Sequence, residues 1–447
     1  MARNALSEAL PQPNLPRPPS AWTPLTFTLF RWLWIASVVS NVGTWMQNVA
    51  AAWYMTALPT STPLLVALVT TATNLPVFLL GVPAGVAGDI FDRRKLLLVT
   101  QGWMLAAAAA LGALTLAGLN GPYTLLWLTF ALGLGAAMNG PVWQAIMPEL
   151  VPQRELPAAI ALNSVGFNLA RAIGPALGGL TVAAMGAGAA FVLNAISFVA
   201  VLAVLYFWKR QPAPFETQPA EGVMAAMLTG MRYVQRMPVM RSVLLRSFTF
   251  VLWASAIWAL LPVLAKVELH RESTGYGVLL AFLGFGSILA ALILSQVRHL
   301  LKRETIVTAG VILYGLANVG LAVTERYELV CGLMIAAGIG WMTANSNLNT
   351  AAQTALPAWL RSRGMGVYLL GFQSSMAIGS VIWGTIASRF GLRVTLFAAG
   401  VLLLATALAT LRLSLTGDAR TLDAAIPLDD ITPDGIESQH AGFPDQP

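Results

Sequence analysis

The sequence predicts an all-α integral membrane protein with twelve transmembrane helices in two pseudo-symmetric six-helix bundles. Three observations predict it. Hydrophobic side chains make up 57% of the 447 residues and charged ones only 10%, against about 25% charged in an average soluble domain. Twelve apolar runs, most about 20 residues or longer, follow one another from residue 30 to residue 413, and a run of about 20 apolar residues as a helix crosses a bilayer. Finally, sequence features of the first half recur in the second at a nearly constant offset.

Such a chain cannot cover its own surface with polar groups, which excludes a soluble globular protein. Disorder is excluded too, because it needs low hydrophobicity and high charge. The net charge of +7 is not a nucleic-acid footprint, since no dense Lys/Arg block interleaved with aromatics occurs. A single cysteine, Cys331, excludes an intrachain disulfide and a cysteine-based metal cluster. His270, His299 and His440 fall in predicted loops or the tail. No cofactor and no metal are expected, and no catalytic cluster is visible within the membrane segments.

In chain order, residues 1–25 form a proline-rich leader, expected to be disordered and cytoplasmic. It lacks the apolar core and small-residue cleavage site of a signal peptide. The runs then span 30–57, 63–88, 95–118, 121–147, 157–184 and 187–208 in the first bundle, placed at 26–208. In the second bundle, 239–413, they span 239–265, 273–297, 304–324, 327–348, 363–387 and 391–413. Each must be helical, because backbone groups in lipid find partners only within the chain. Between the bundles lies a linker at 209–238, whose second half has the spacing of an amphipathic helix on the membrane face, or of a plain tether. Residues 414–447 hold seven acids and read as a solvated tail.

Basic residues set the orientation. With the N-terminus inside, twenty Lys and Arg fall on the inner side and five on the outer, and Arg171 alone lies well within a run. This bias predicts both termini in the cytoplasm.

The repeat links the halves. Gly166-Phe167, Ala172-Ile173-Gly174 and Gly179 recur as Gly371-Phe372, Ala377-Ile378-Gly379 and Gly384, at an offset of 205. Val99-Thr100 and Gly102 recur as Val307-Thr308 and Gly310 at 208. Parallel repeats of six helices are a transporter architecture, with the substrate site between them. No Walker-type phosphate loop is present, so the chain is not expected to hydrolyse nucleotide itself.

Two motifs carry the chemistry. At the end of the second run stands Gly85-Val-Ala-Gly-Asp89-Ile-Phe-Asp92-Arg93-Arg94-Lys95. It resembles the G-x-x-x-D-x-x-G-R-R loop signature of the major facilitator superfamily. Gly85, Asp89, Arg93 and Arg94 match in place, while Asp92 stands where glycine is usual. The resemblance implies a gate, while the residues alone also fit a topology anchor. On the fifth run, Arg171-Ala-Ile-Gly174-Pro175-Ala-Leu-Gly178-Gly179 resembles the G-P-x-x-G-G motif of the exporter branches. Pro175 removes a helix hydrogen bond, and Gly174 and Gly178 offer a close-packing face.

The resemblance spans roughly residues 26–413. Within the superfamily, Ser40–Gln47, Gly88–Arg94 and Asn163–Arg171 are similar to the bacterial group of enterobactin and macrolide exporters. It implies a secondary transporter of the bacterial cytoplasmic (inner) membrane, exporting a siderophore, drug or similar amphipathic molecule by alternating access with proton antiport. The implied partners are a small-molecule substrate, protons and membrane lipid, with the chain acting as a monomer. A facilitator, an importer or a lysophospholipid flippase would share the fold, and a membrane-embedded enzyme or sensor is the rival of another class. In that fold helices 1, 4, 7 and 10 line the cavity, which nominates Asn41, Trp45 and Asn48, then Asn139 and Trp143, Trp253 and Trp258, and Asn345 and Asn349. Each amide also fits a role as interhelical glue. For Arg171 two partners fit: an anionic substrate group, or a structural bond to Glu149 or a carbonyl.

Overall fold

The computed structural model describes residues 21–208, 231, 237–356 and 361–415. The leader up to residue 20, nearly all of the linker and the tail from residue 416 lie outside the described residues, and the amphipathic reading of the linker falls there. Among the described residues the regular structure is all helical. The first bundle comprises α1 (Thr28–Ala57), α2 (Pro63–Ile90), α3 (Arg93–Leu116), α4 (Pro122–Leu150), α5 (Leu156–Met185) and α6 (Ala187–Phe207). The second comprises α7 (Pro238–Val263), α8 (Ser273–Val297), α9 (Arg303–Val323), α10 (Tyr327–Ala355), α11 (Arg361–Phe390) and α12 (Leu392–Ala409). A short 3-10 turn, Thr23–Thr26, precedes α1, and α7 runs on as a π turn over Leu264–Glu268.

Eleven of the twelve are long and apolar enough to cross a bilayer on composition alone. The exception is α1, whose 30 residues include Ser37, Ser40, Asn41, Thr44, Gln47 and Asn48. Several of those polar groups are spent inside the protein. Gln47 accepts from the Asn194 side-chain amide of α6, and Thr44 Oγ1 donates to the Ser40 carbonyl at 2.9 Å.

Glycines decide how closely the helices approach. A methyl group on Gly178 would stand 2.8 Å from the Met46 Cα of α1, and one on Gly133 would stand 2.8 Å from Pro76 Cγ of α2. Repeat partners do equivalent work in the two halves. Gly174 lies against α1 at Val42 and Trp45, and Gly379 lies against α7 at Leu252 and Ser255.

The bundles meet chiefly through two helix pairs, α2 with α11 and α5 with α8, with α7 also touching α2. Both ends of the described chain lie on one face, called here the terminal face. On the opposite face the bundles are pressed together. Gly179 Cα and Gly277 Cα nearly touch, and a methyl on Gly384 would stand 3.0 Å from Leu64 Cα. The Leu64 N–H donates to Ser388 Oγ at 3.0 Å, and Lys266 Nζ donates to the Thr56 carbonyl at 2.5 Å. Moving toward the terminal face, the same helix faces open. On α5 the line runs from buried Gly179 and Pro175 to exposed Asn168 and Ala161, and on α8 from buried Gly277 and Leu280 to exposed Ile288 and Ala291. The described conformation is therefore closed at one face and parted at the other.

One sequence expectation changes. Arg171 is not the only basic residue well inside a span. Arg246, assigned to the linker from charge counting, sits two turns into α7 and is 3% exposed. Its guanidinium donates to Thr308 Oγ1 at 2.7 Å and to the Leu413 carbonyl at 3.3 Å. Those acceptors on α9 and after α12 let a charge sit at this depth without facing lipid.

Candidate functional site: a cavity between the two bundles

A cavity of about 370 Å³ lies between the bundles, walled off from the closed face. The first bundle supplies Trp45 and Asn48 of α1, Thr70, Thr73 and Asn74 of α2, and Phe167, Arg171 and Pro175 of α5. The second supplies Trp258 of α7, Tyr276 and Leu280 of α8, Trp341 and Asn345 of α10, and Phe372, Gln373 and Met376 of α11. Phe167 and Phe372 are repeat equivalents at the offset of 205, as are Arg171 and Met376. The pseudo-symmetric wall is thus aromatic on both sides but charged on one.

The floor toward the closed face is built from ring stacking. Trp53 of α1 lies nearly parallel to Tyr276 of α8, with centroids 6.0 Å apart and planes 17° apart. Across the cavity Trp341 is the hub of an aromatic cluster. Its ring lies 5.4 Å from Trp258, 5.6 Å from Phe250, 5.9 Å from Tyr314 and 6.2 Å from Phe372. The indole N–H groups of Trp258 and Trp341 are buried with no acceptor among the described residues.

Arg171 is the charged element of this wall. Its Cζ lies 5.9 Å from the Trp45 ring centroid and 6.0 Å from that of Trp258, one ring from each bundle. A charge at the bilayer centre costs about 2.5–3.5 kcal/mol on insertion scales. Each cation–π contact returns about 0.5–2 kcal/mol, so the rings offset much of the cost without neutralising the charge. The sequence left a structural bond to Glu149 open, and the structure overturns it. Glu149 Oε1 instead accepts from Arg93 Nη1 at 3.0 Å, because α4 ends beside the start of α3 on the terminal face.

Of the nominated cavity residues, Trp45, Asn48, Trp258 and Asn345 come together here. The others are used elsewhere. Asn139 accepts from Gln101 Nε2 at 3.1 Å, and Trp143 Nε1 donates to Asn163 Oδ1 at 3.3 Å. Trp253 Nε1 donates to Thr406 Oγ1 at 3.0 Å, and Asn349 accepts from Gln353 at 2.6 Å. Asn41 is half-buried one turn nearer the terminal face and is not part of the wall. Against expectation, no described residue of α4 lines this cavity, and α4 packs on α2 at Gly133. Sequence reasoning missed Trp341, Phe167, Tyr276 and Gln373. A signal existed for two of them: Trp341 is four residues before Asn345, and Phe167 four before Arg171, so each shares a helix face with its nominated neighbour.

On the terminal face the loop motif forms a set of helix-end contacts. Asp92 is the N-cap of α3, its Oδ1 accepting from the Lys95 N–H at 2.9 Å. Its φ of −58° is ordinary for any residue, which explains why no glycine is needed at this position. Arg93 also donates to the Ala145 carbonyl of α4 at 3.1 Å. Arg94 donates to the Leu205 and Tyr206 carbonyls at 2.8 and 2.6 Å, satisfying the orphan acceptors at the end of α6. The second half repeats the arrangement with other chemistry, Arg303 Nη1 donating to Thr354 Oγ1 at 2.9 Å. The side chains of Gly85 and Asp89 lie outside the described residues. The exporter-type motif lies on α5, where Gly174 and Gly178 meet α1 and Gly179 meets α8.

Comparison with known proteins agrees with this architecture. The family model described as transmembrane secretion effector matches residues 19–434. The chain belongs to that family of major facilitator transporters. It is 24% identical over 356 residues to the multidrug efflux pump Tap of Mycobacterium tuberculosis, covering 77% of this chain and 84% of that protein. It is 27% identical over 363 residues to the enterobactin exporter EntS of Salmonella typhi, covering 80% and 86%. In fold it is similar to a bacterial homologue of the human lysosomal transporter Spinster in an inward-facing, occupied conformation. That match has a TM-score of 0.69 at 14% identity over 92% of this chain and 99% of the other.

Proposed function

We propose that this transporter exports a small amphipathic molecule across the bacterial cytoplasmic membrane by alternating access, driven by inward proton flow and acting as a monomer. The observation that carries the reading is the inter-bundle cavity, sealed at one face and parted toward the other. Alternating access needs a site that each face reaches in turn while the bundles rock against one another. The efflux activities named for Tap and EntS support outward movement, and the aromatic wall suits a bulky, partly apolar ligand.

The direct test uses everted vesicles with an imposed pH gradient and a ligand found by thermal-shift screening of siderophores, macrolides and dyes. Uphill accumulation that stops when the pH gradient and membrane potential are collapsed is expected. Accumulation unchanged by that collapse would remove proton coupling, and flux only down the substrate gradient would make the protein a facilitator.

Orientation is tested separately. The charge bias puts the terminal face in the cytoplasm. In a Cys331→Ala background, Thr60→Cys and Gln153→Cys place single thiols at exposed sites on opposite faces. An impermeant thiol reagent on intact cells is expected to label position 60 only, and labelling of 153 alone would invert the topology.

The loop motif is read as the gate on the terminal face. Asp89→Asn is expected to leave insertion intact and to cut flux at least about tenfold, the worth of one charge-assisted bond. Flux near normal at normal expression would leave Asp89 an anchor of topology.

A further inference from the structure

The cavity is rich in donors and poor in acceptors of matching charge. Arg171 contributes a guanidinium that, among the described residues, makes no hydrogen bond or ion pair and lies about 6 Å from two ring centroids. Trp258 and Trp341 contribute two buried N–H groups without acceptors. Among the described residues the wall holds no Asp or Glu. Most acids whose side chains are described are engaged at helix ends. Glu149 pairs with Arg93, Glu155 with Arg154, and Glu268 and Glu325 both pair with Arg393. None of these acids lines the cavity.

We propose that the cavity binds its substrate as an organic anion with a flat apolar body, and that Arg171 is the specificity-determining residue for that charge. A planar carboxylate or similar oxyanion matches the guanidinium fork in two parallel bonds. The rings of Trp45 and Trp258 flank that fork without taking its N–H donors, which stay available to a ligand. Apolar ligand surface then lies against the aromatic walls, and the free indole N–H groups donate to further ligand oxygens. The same surplus of positive charge rejects organic cations, which would meet like charge in a desolvated site. This assignment rests on the transporter reading of the same cavity and deepens it by naming the charge of the cargo.

The test is binding to the purified full chain in detergent, followed by calorimetric titration, with 2-naphthoate, 2-naphthamide and 2-naphthylmethylammonium as probes of nearly equal shape. Naphthoate is expected to bind at least about tenfold more tightly than the neutral and cationic probes, since charge-assisted bidentate pairing is roughly twice as strong as a neutral bond. Arg171→Gln is expected to erase that preference, and Arg171→Lys to retain part of it, keeping the charge but not the fork. A purely structural cation–π staple would instead change melting temperature in Arg171→Gln without changing the rank of the three probes. The wild-type ranking needs no variant, so misfolding of a mutant does not shield the proposal. Equal binding of all three probes overturns it. So does a preference for the ammonium, or the failure of every aromatic and aliphatic carboxylate tried to millimolar concentration. If a cationic dye is bound and exported while anions are ignored, the exporter reading stands and the anion assignment falls.

Discussion

Gly277→Leu is expected to abolish transport while leaving both bundles folded and inserted. Gly277 of α8 faces Gly179 of α5 at the closed face. Even a methyl at 277 would stand 3.0 Å from Gly179 Cα and 3.4 Å from the Pro175 carbonyl oxygen. A leucine cannot fit between two backbones at that separation. The wedge falls between bundles rather than within one, so it can be relieved by parting them. Overpacking of this kind costs about 1–3 kcal/mol. Charged to the sealed state alone, that shifts its population roughly 5- to 150-fold against the alternative state. The transporter would then be held open at the face that must close for each cycle.

Two measurements check this together. Flux in vesicles is expected to fall at least about tenfold. In a Cys331→Ala background, a thiol at Ser273, which is 4% exposed in the sealed conformation, becomes reactive to an impermeant reagent from that face. Gly277→Ala should give an intermediate result, because a few tenths of an ångström of helix shift accommodate a methyl. Normal flux with position 273 still protected would mean that the α5–α8 contact is not the seal.

Trp341→Ala is expected to have the largest effect on stability. The indole is 2% exposed and touches Phe250, Trp258, Tyr314 and Phe372. It therefore joins α7, α9, α10 and α11 at the cavity wall. Large-to-small replacement of a buried tryptophan costs about 3–5 kcal/mol, and four ring contacts leave little scope for collapse into the space. The melting temperature in detergent should drop by several degrees. Trp341→Phe keeps most of the ring packing and removes the unpartnered N–H, so it should melt near wild type. A Trp341→Ala protein that melts within a degree of wild type would show the cluster to be dispensable.

What the sequence determined by itself is the set of spans and the repeat. The run read as 273–297 is the observed α8, Ser273–Val297, and the run read as 63–88 ends two residues short of α2. This legibility has one cause: lipid forces a continuous hydrogen-bonded helix wherever the chain is apolar for bilayer length. The last run, read to 413, stops at Ala409 in α12, because apolar residues beyond the helix carry no break signal. Repeat offsets placed Gly179 and Gly384 on equivalent helices, α5 and α11.

What they pack against was decided only by the tertiary structure: Gly179 meets α8 and Gly384 meets α2, both across the bundle boundary. The cavity was half legible. Trp45 and Asn48 followed from spacing on α1, yet Asn139 and Trp253 looked equally good and are bonded within their bundles. In a soluble helix, polarity marks the outward face; in a membrane bundle, lipid and neighbouring helices are equally apolar. An isolated amide or indole then says that its face meets protein or a cavity, not which. Choosing between them requires knowing which helix lies across the gap.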